Sequence, residues 1–348
     1  MGRRLKQYFR LLAEDKESGA LSKLMYPLLD RCSGVYENVS QKIRRCYEED
    51  VFKKKKLSFP VISVGNLTWG GSGKTPFVEY LVRYIESLNK APMIMTRGYS
   101  HDEVEQYREH FPKTLISVGK DRYKAASKIA NKHSVDVGIL DDGFQHWKLQ
   151  RDLDIVTLSA LNPFGNERII PRGSLREPIE RIADADVIVI THSRLVKASA
   201  LRDLKILLKK LASQALIVEA YLEPLFFYRA KKGQKIGLSK LQNRRVTTFS
   251  AVGAPRSFQL LLSHFQIRPV RNFEFTDHHV FSKKDLEEIK TVANSASVEE
   301  IITTEKDFYR SPEMISESLN PLVLATEIRI SRGEEVLKKR IRELIGSK

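Results

Sequence analysis

One short segment limits what this chain can fold into. Pro60 to Asn66, PVISVGN, reads as a short buried strand, and Phe77 to Leu88 as an amphipathic helix. Between them lies LTWGGSGKTP. A strand, a glycine-rich turn and a helix in that order form the setting of a phosphate-binding loop. Gly70, Gly71 and Gly73, with Ser72 among them, let backbone N–H groups turn inward around phosphate oxygens. Lys74 then reaches the terminal phosphates of a nucleotide such as ATP, and the Thr75 hydroxyl is placed to ligate Mg²⁺. The first glycine of the strict motif is replaced by Thr68. A glycine turn that merely ends in GKT is the alternative, and the flanking strand and helix weigh against it.

Further apolar strands are expected at Pro92–Thr96, Val135–Leu140, Leu153–Leu158 and Val187–Thr191, with helical patterns between several of them. Asp121 is the expected N-cap of a helix running to about Asn131. This alternation predicts an α/β fold with a mainly parallel sheet of the P-loop NTPase kind, its ligands at the carboxyl ends of the strands. Asp141 and Asp142 stand at such an end, where P-loop enzymes keep the acid of the Mg²⁺ shell. Two turn-forming aspartates before Gly143 are the plainer reading. Hard oxygen ligands suit Mg²⁺ better than zinc.

Four regions are expected: a basic arm over 1–56, a nucleotide-binding core over 57–224, a smaller α/β lobe over 225–330 and a C-terminal helix over 331–348. In the arm, apolar residues from Leu21 to Tyr47 recur at helical spacing, with breaks predicted near Pro27 and Gly34. The first 56 residues carry 14 Lys or Arg against 8 Asp or Glu. Such a helix either packs on the core with a solvated basic edge or lies on an anionic membrane surface. The whole chain carries a formal charge of +16, compatible with nucleic acid, anionic lipid or a phosphorylated small molecule. Its two cysteines exclude a disulfide framework and a four-cysteine zinc site, and no apolar run suits a spanning helix. A cytoplasmic protein with at most peripheral membrane contact is the expectation.

The motifs then become specific. SVGNLTWGGSGKTP (63–76), TRGY (96–99), VGKDR (118–122) and LDDGFQHWKLQRDLDIV (140–156) are followed by NPFGNERIIPRGSLREP (162–178), FTDHH (275–279) and TTEKDFYR (303–310). In this order the chain resembles the tetraacyldisaccharide 4′-kinases, the lipid A 4′-kinases of Gram-negative bacteria. The resemblance implies transfer of the γ-phosphoryl of ATP, with Mg²⁺, to the 4′-hydroxyl of a tetraacylated glucosamine disaccharide 1-phosphate, giving lipid IVA. It implies a bilobed protein held at the cytoplasmic face of the inner membrane by an N-terminal helix. Nucleic acid is then not an expected partner.

The resemblance also implies site residues. The family carries a longer hairpin segment after RGY, then a GDEP element with the catalytic aspartate. Here RGYS runs straight into HDEV, which is read as a deletion that leaves Asp102 and Glu103 in catalytic-loop positions; a simple polar turn is the alternative. Asp102 is then the base for the acceptor hydroxyl, paired with His278 of FTDHH, while His279 supports the loop. Gln145 and His146 are expected to line the nucleotide pocket. Arg176 and Glu177 are expected as a charge pair at the phosphates or metal, with Glu177 joining Thr75, Asp141 and Asp142 as metal ligands. Arg122 is expected at a phosphate. A P-loop kinase for another acceptor, or a non-enzymatic basic binding module, are the competing functions.

Overall fold

The computed structural model describes residues 8, 11–15, 19–98, 101–277 and 279–346. Within the arm, the helix α1 (Ala20–Glu48) runs unbroken through Pro27 and Gly34. An interior proline removes a ladder donor and crowds the carbonyl four residues back, at about 3 kcal/mol, and a glycine costs about 1 kcal/mol; the 29-residue helix carries both. The chain continues through β1 (Val61–Gly65), α2 (Lys74–Ser87), β2 (Pro92–Thr96), α3 (His101–His110), β3 (Leu115–Val118), α4 (Arg122–Ala130), β4 (Val137–Asp141) and β5 (Leu153–Ser159). A 3₁₀ helix (Ile179–Asp184) precedes β6 (Val187–Thr191), α5 (Ala198–Leu211) and β7 (Leu216–Arg229). Then follow β8 (Lys235–Ile236), β9 (Val246–Ser250), α6 (Pro255–His264), β10 (Pro269–Glu274), α7 (Lys283–Ser295) and β11 (Glu300–Thr304). The chain closes with α8 (Glu305–Phe308), α9 (Pro312–Ser318), β12 (Leu322–Arg332) and α10 (Glu334–Gly346).

These elements form two compact units. The first takes residues 1–97, 117–220 and 330–348, the second 98–116 and 221–329. Residues 98–116, read from sequence as part of the core, fold with the second unit. The strands β7 and β12 carry the chain from one unit into the other.

In the first unit the strand order is β7-β6-β5-β1-β4-β2, each neighbouring pair parallel. All residues of β1, β2, β4 and β6 are buried, as expected of strands covered on both faces. The helix α2 buries Phe77, Val78, Leu81, Val82 and Ile85. At about 1.5–3 kcal/mol for each large side chain, this stripe fixes the helix that opens at Lys74. The C-terminal α10 also belongs here: Tyr80 Oη donates to Glu334 Oε1 at 3.0 Å and Tyr84 Oη to the Lys338 carbonyl at 3.3 Å.

The second unit has β10-β9-β11-β12 in parallel order, with β8 antiparallel to β7. Phe249, Phe281, Leu286, Ile289 and Phe308 form one of its cores. The helix α7 carries a full capping box, with Ser282 and Asp285 satisfying each other's backbone N–H groups.

Candidate active site

The phosphate loop is held from behind by the neighbouring strands. The Thr191 hydroxyl, at the end of β6, donates to the Ser72 carbonyl at 2.9 Å. Ser72 Oγ lies 2.8 Å from Thr157 Oγ1 of β5, which in turn donates to the Gly65 carbonyl at 3.2 Å. Gly73 has φ +82°, and a Cβ there would lie 2.9 Å from Thr191 Cγ2, so both conformation and space demand glycine. His192 Nδ1 sits 3.0 Å from Ser159 Oγ and 3.3 Å from Thr191 Oγ1. Complete burial brings its pKa down to about 4, leaving a neutral ring. The entry to the loop is tied to the GSLRE segment by Trp69 N–H to Ser174 O at 2.9 Å and Arg176 N–H to Leu67 O at 2.7 Å.

That second tie positions the Arg176 side chain. Its Nη1 donates to Asp142 Oδ1 at 2.7 Å, and Lys74 Nζ lies 3.7 Å from the same oxygen. Burial would raise the Asp142 carboxyl, but Lys74 and Arg176 outweigh it and hold its pKa below the usual carboxylate range. Asp141 ends β4 and is 4% exposed. The turn that follows approaches β1 so closely that a Cβ on Gly65 would lie 2.5 Å from Phe144 Cβ. Arg151, which motif reading left without a role, fixes this turn by donating to the carbonyls of Gly143 and Phe144 at 3.0 and 2.6 Å. Arg122 is buried and feels Arg97, Asp142 and Asp141, with burial chiefly lowering its pKa. His146 is brought down to about 4 by burial and then by Arg122, Arg151 and Lys148, which leaves a neutral ring.

Of the expected metal ligands, Glu177 does not join Asp141 and Asp142. Glu177 is buried, and burial raises its pKa against the pull of Arg181, Arg44 and Arg151 and a hydrogen bond with Gln145. It lines a cavity of about 200 Å³ with Arg44, Trp147, Arg151 and Arg181. Gln145 Nε2 donates to the Asn66 carbonyl at 2.9 Å, and its Oε1 accepts from Arg176 Nη1 at 3.4 Å. Glu177 is thus the far end of a chain running through Gln145 and Arg176 to Asp142. This corrects two expectations: Arg176 pairs with Asp142 instead of Glu177, and Glu177 is engaged by arginines and Gln145. Among the described residues no three His, Cys, Asp or Glu side chains converge on a metal position. A site of one or two carboxylates with a hydroxyl still fits Mg²⁺, which keeps waters and binds substrate phosphates.

Asp102 lies in the second unit, and on a helix instead of the expected loop. It and Glu103 occupy the first turn of α3, where acids favour the helix dipole. Val104, Tyr107 and Phe111 are buried, and their spacing is the signal by which sequence could have found the helix. Asp102 is 2% exposed and accepts from Arg310 Nε at 2.8 Å. Glu103 accepts from Lys306 Nζ at 3.0 Å. Lys306 and Arg310 come from the TTEKDFYR segment, whose partners no spacing reveals. His279 Nε2 lies 3.0 Å from Asp285 Oδ2 and the ring stacks on Phe275, consistent with loop support. His278, the expected partner of Asp102, lies outside the described residues.

The family model for LpxK, tetraacyldisaccharide-1-P 4′-kinase, matches residues 25–109 and 101–346. A probable mitochondrial tetraacyldisaccharide 4′-kinase of Arabidopsis thaliana is 33% identical over 350 residues, covering 90% of this chain and 89% of that protein. The tetraacyldisaccharide 4′-kinase of Halothermothrix orenii is 30% identical over 368 residues, covering 95% and 96%. The crystal structure of LpxK from Aquifex aeolicus in complex with ATP aligns with TM-score 0.67 at 28% identity, covering 93% of this chain and 99% of that one. With the phosphate loop, the aspartate pair and the family's full span all present, the chain belongs to the tetraacyldisaccharide 4′-kinase family.

Proposed function

We propose that this protein transfers the γ-phosphoryl group of ATP to the 4′-hydroxyl of a tetraacylated glucosamine disaccharide 1-phosphate, giving lipid IVA in lipid A biosynthesis. The observation that carries the reading is the contact of Lys74 and Arg176 with Asp142 at a braced phosphate loop, in a chain that its family matches almost throughout. Phosphoryl transfer needs little covalent chemistry from a protein; it needs positioning and charge neutralisation. Backbone N–H groups of Gly70–Gly73 and the Lys74 ammonium hold the β- and γ-phosphates. Arg122 adds a cation on the phosphate side. Arg176 orients Asp142, and the neutral Gln145 and His146 line the pocket.

Thr75 and Asp141 would hold Mg²⁺ directly and Asp142 its water shell, and the ion would neutralise phosphate charge. Asp102 receives the proton of the acceptor hydroxyl, with His278 sharing it. A carboxylate is a weak base near pH 7, so a histidine partner and fixed geometry supply what basicity does not.

The long helix α1 supports peripheral binding to an anionic membrane surface. Its apolar stripe remains exposed, with Leu24 at 77%, Leu28 at 60%, Val35 at 65% and Val39 at 51%. No helix among the described residues is long and apolar enough to cross a membrane. The cytoplasmic face of the bacterial inner membrane, where ATP and a lipid acceptor meet, is the location this reading requires. The test is incubation with ATP, Mg²⁺ and either the tetraacyldisaccharide 1-phosphate or its deacylated analogue. One added phosphoryl group on the acylated acceptor is expected. Phosphorylation of the deacylated analogue alone would indicate a kinase of another substrate class, and no product on either would support a binding module.

A further inference from the structure

The side chain of Arg310 is 6% exposed, and its Nε and Nη1 donate to defined acceptors while Nη2 makes an ion-pair contact without a hydrogen bond. Nε donates to Asp102 Oδ2 at 2.8 Å, and Nη2 lies 2.8 Å from the same oxygen. Nη1 reaches three acceptors: Asp307 Oδ1 at 3.1 Å, the Ala251 carbonyl at 3.2 Å and the His279 carbonyl at 3.2 Å. One residue thus joins the first turn of α3, the end of β9 and the backbone of the FTDHH loop.

The surroundings explain why the joint must be charged and forked. Asp307 is wholly buried and also accepts from the Ala251 N–H at 3.0 Å. Two buried carboxylates on one guanidinium are stable only while that cation is present. Lys306 adds a second cation, surrounded by Glu103, Asp277 and Asp102, which together overcome burial and keep it protonated. Among the described residues, Arg310 of the TTEKDFYR segment pairs with Asp102, and Lys306 of the same segment shares its charge among Asp102, Glu103 on the same helix, and Asp277 of the loop. A lysine at 310 would keep the charge but could not span a carboxylate and two carbonyls together.

We propose that Arg310 is a positioning residue for phosphoryl transfer: it fixes the orientation and ionised state of Asp102 and ties α3 to the loop carrying His278. The inference rests on the reading of Asp102 as the proton acceptor. If the ion pair only held the unit together, replacing Arg310 would change melting temperature and nothing else.

The test uses the full-length protein, with kcat measured across pH for wild type, Arg310→Gln, Arg310→Lys and Asp102→Asn. Losing the guanidinium removes a favourable partner of the carboxylate, so the Asp102 pKa rises and the acid limb moves to higher pH. Arg310→Gln is expected to lower kcat by about 10- to 100-fold, the scale of a misplaced reacting group. Its acid limb should move up by about one pH unit, with KM for ATP unchanged. Arg310→Lys should restore the limb but only part of kcat. An Arg310→Gln enzyme with wild-type kcat and pH profile overturns the proposal; if that variant does not fold, an Arg310→Lys enzyme with wild-type kcat does so. Near-native turnover of Asp102→Asn removes the base assignment itself, whereas an inactive Asp102→Asn beside an unaltered Arg310→Gln removes only the role of Arg310.

Discussion

Thr191 and Ser72 are joined by a 2.9 Å hydrogen bond from the threonine hydroxyl to the loop carbonyl. The bond ties the phosphate loop to the end of β6 and engages the carbonyl at its centre. Thr191→Val keeps the shape and removes the donor. A neutral hydrogen bond contributes about 1 kcal/mol, so KM for ATP should rise about fivefold, and Thr191→Ser should restore it. Steady-state kinetics at varied ATP reads this directly; an unchanged KM in Thr191→Val would show the brace to be incidental.

Asp141 and Asp142 are neighbours with different surroundings, and their variants should separate. Asp141→Asn is expected to raise the Mg²⁺ concentration for half-maximal rate by about 10- to 100-fold. Asp142→Asn releases Lys74 and Arg176 from their shared partner and should lower kcat with a smaller change in Mg²⁺ requirement. Mg²⁺ titrations of both variants make the comparison, and equal behaviour would contradict the assignment.

The nucleotide half of the site was legible because its chemistry is local. A glycine turn ending in Lys74 and Thr75 sits within a few residues of its strand and helix, and Asp141 ends an apolar strand. The rest depends on partners far along the chain. Arg310 meets Asp102 across 208 positions, and the Thr191 hydroxyl meets Ser72 across 119. The helix α3 is hard to read from sequence because HDEVEQYREH is mostly polar and its apolar stripe is short. Adjacency to Arg176 in sequence says nothing of which way the Glu177 side chain turns.

Acid should weaken the first unit through His192. Its pKa is about 4 when folded against 6.5 ordinarily, so the unfolded chain binds more protons between these values. The stability it contributes is fully present above pH 6.5 and is lost as pH falls toward 4, by about 3 kcal/mol at most. Denaturant unfolding from pH 7 to 4 should show this slope, to which His146 adds its own share, and His192→Gln should make it shallower. An equal slope in the variant would exclude His192 as its source.

Membrane affinity should follow the exposed stripe of α1. Each leucine moved from water into lipid contributes about 1.5–3 kcal/mol, so Leu24→Glu, Leu28→Glu and Val39→Glu together should abolish binding to phosphatidylglycerol vesicles. Co-sedimentation checks this, with turnover on detergent-dispersed acceptor as the control for folding. Undiminished binding of the triple variant would place the lipid contact elsewhere.

The most direct test is of transfer itself. Wild-type protein and Lys74→Ala are given γ-labelled ATP, Mg²⁺ and the tetraacyldisaccharide 1-phosphate, and the product is mapped by mass spectrometry. Label on the 4′ position with wild type, lowered by at least about 10²-fold in Lys74→Ala, is the predicted result. Label on any other position, or equal labelling by the two proteins, would contradict it.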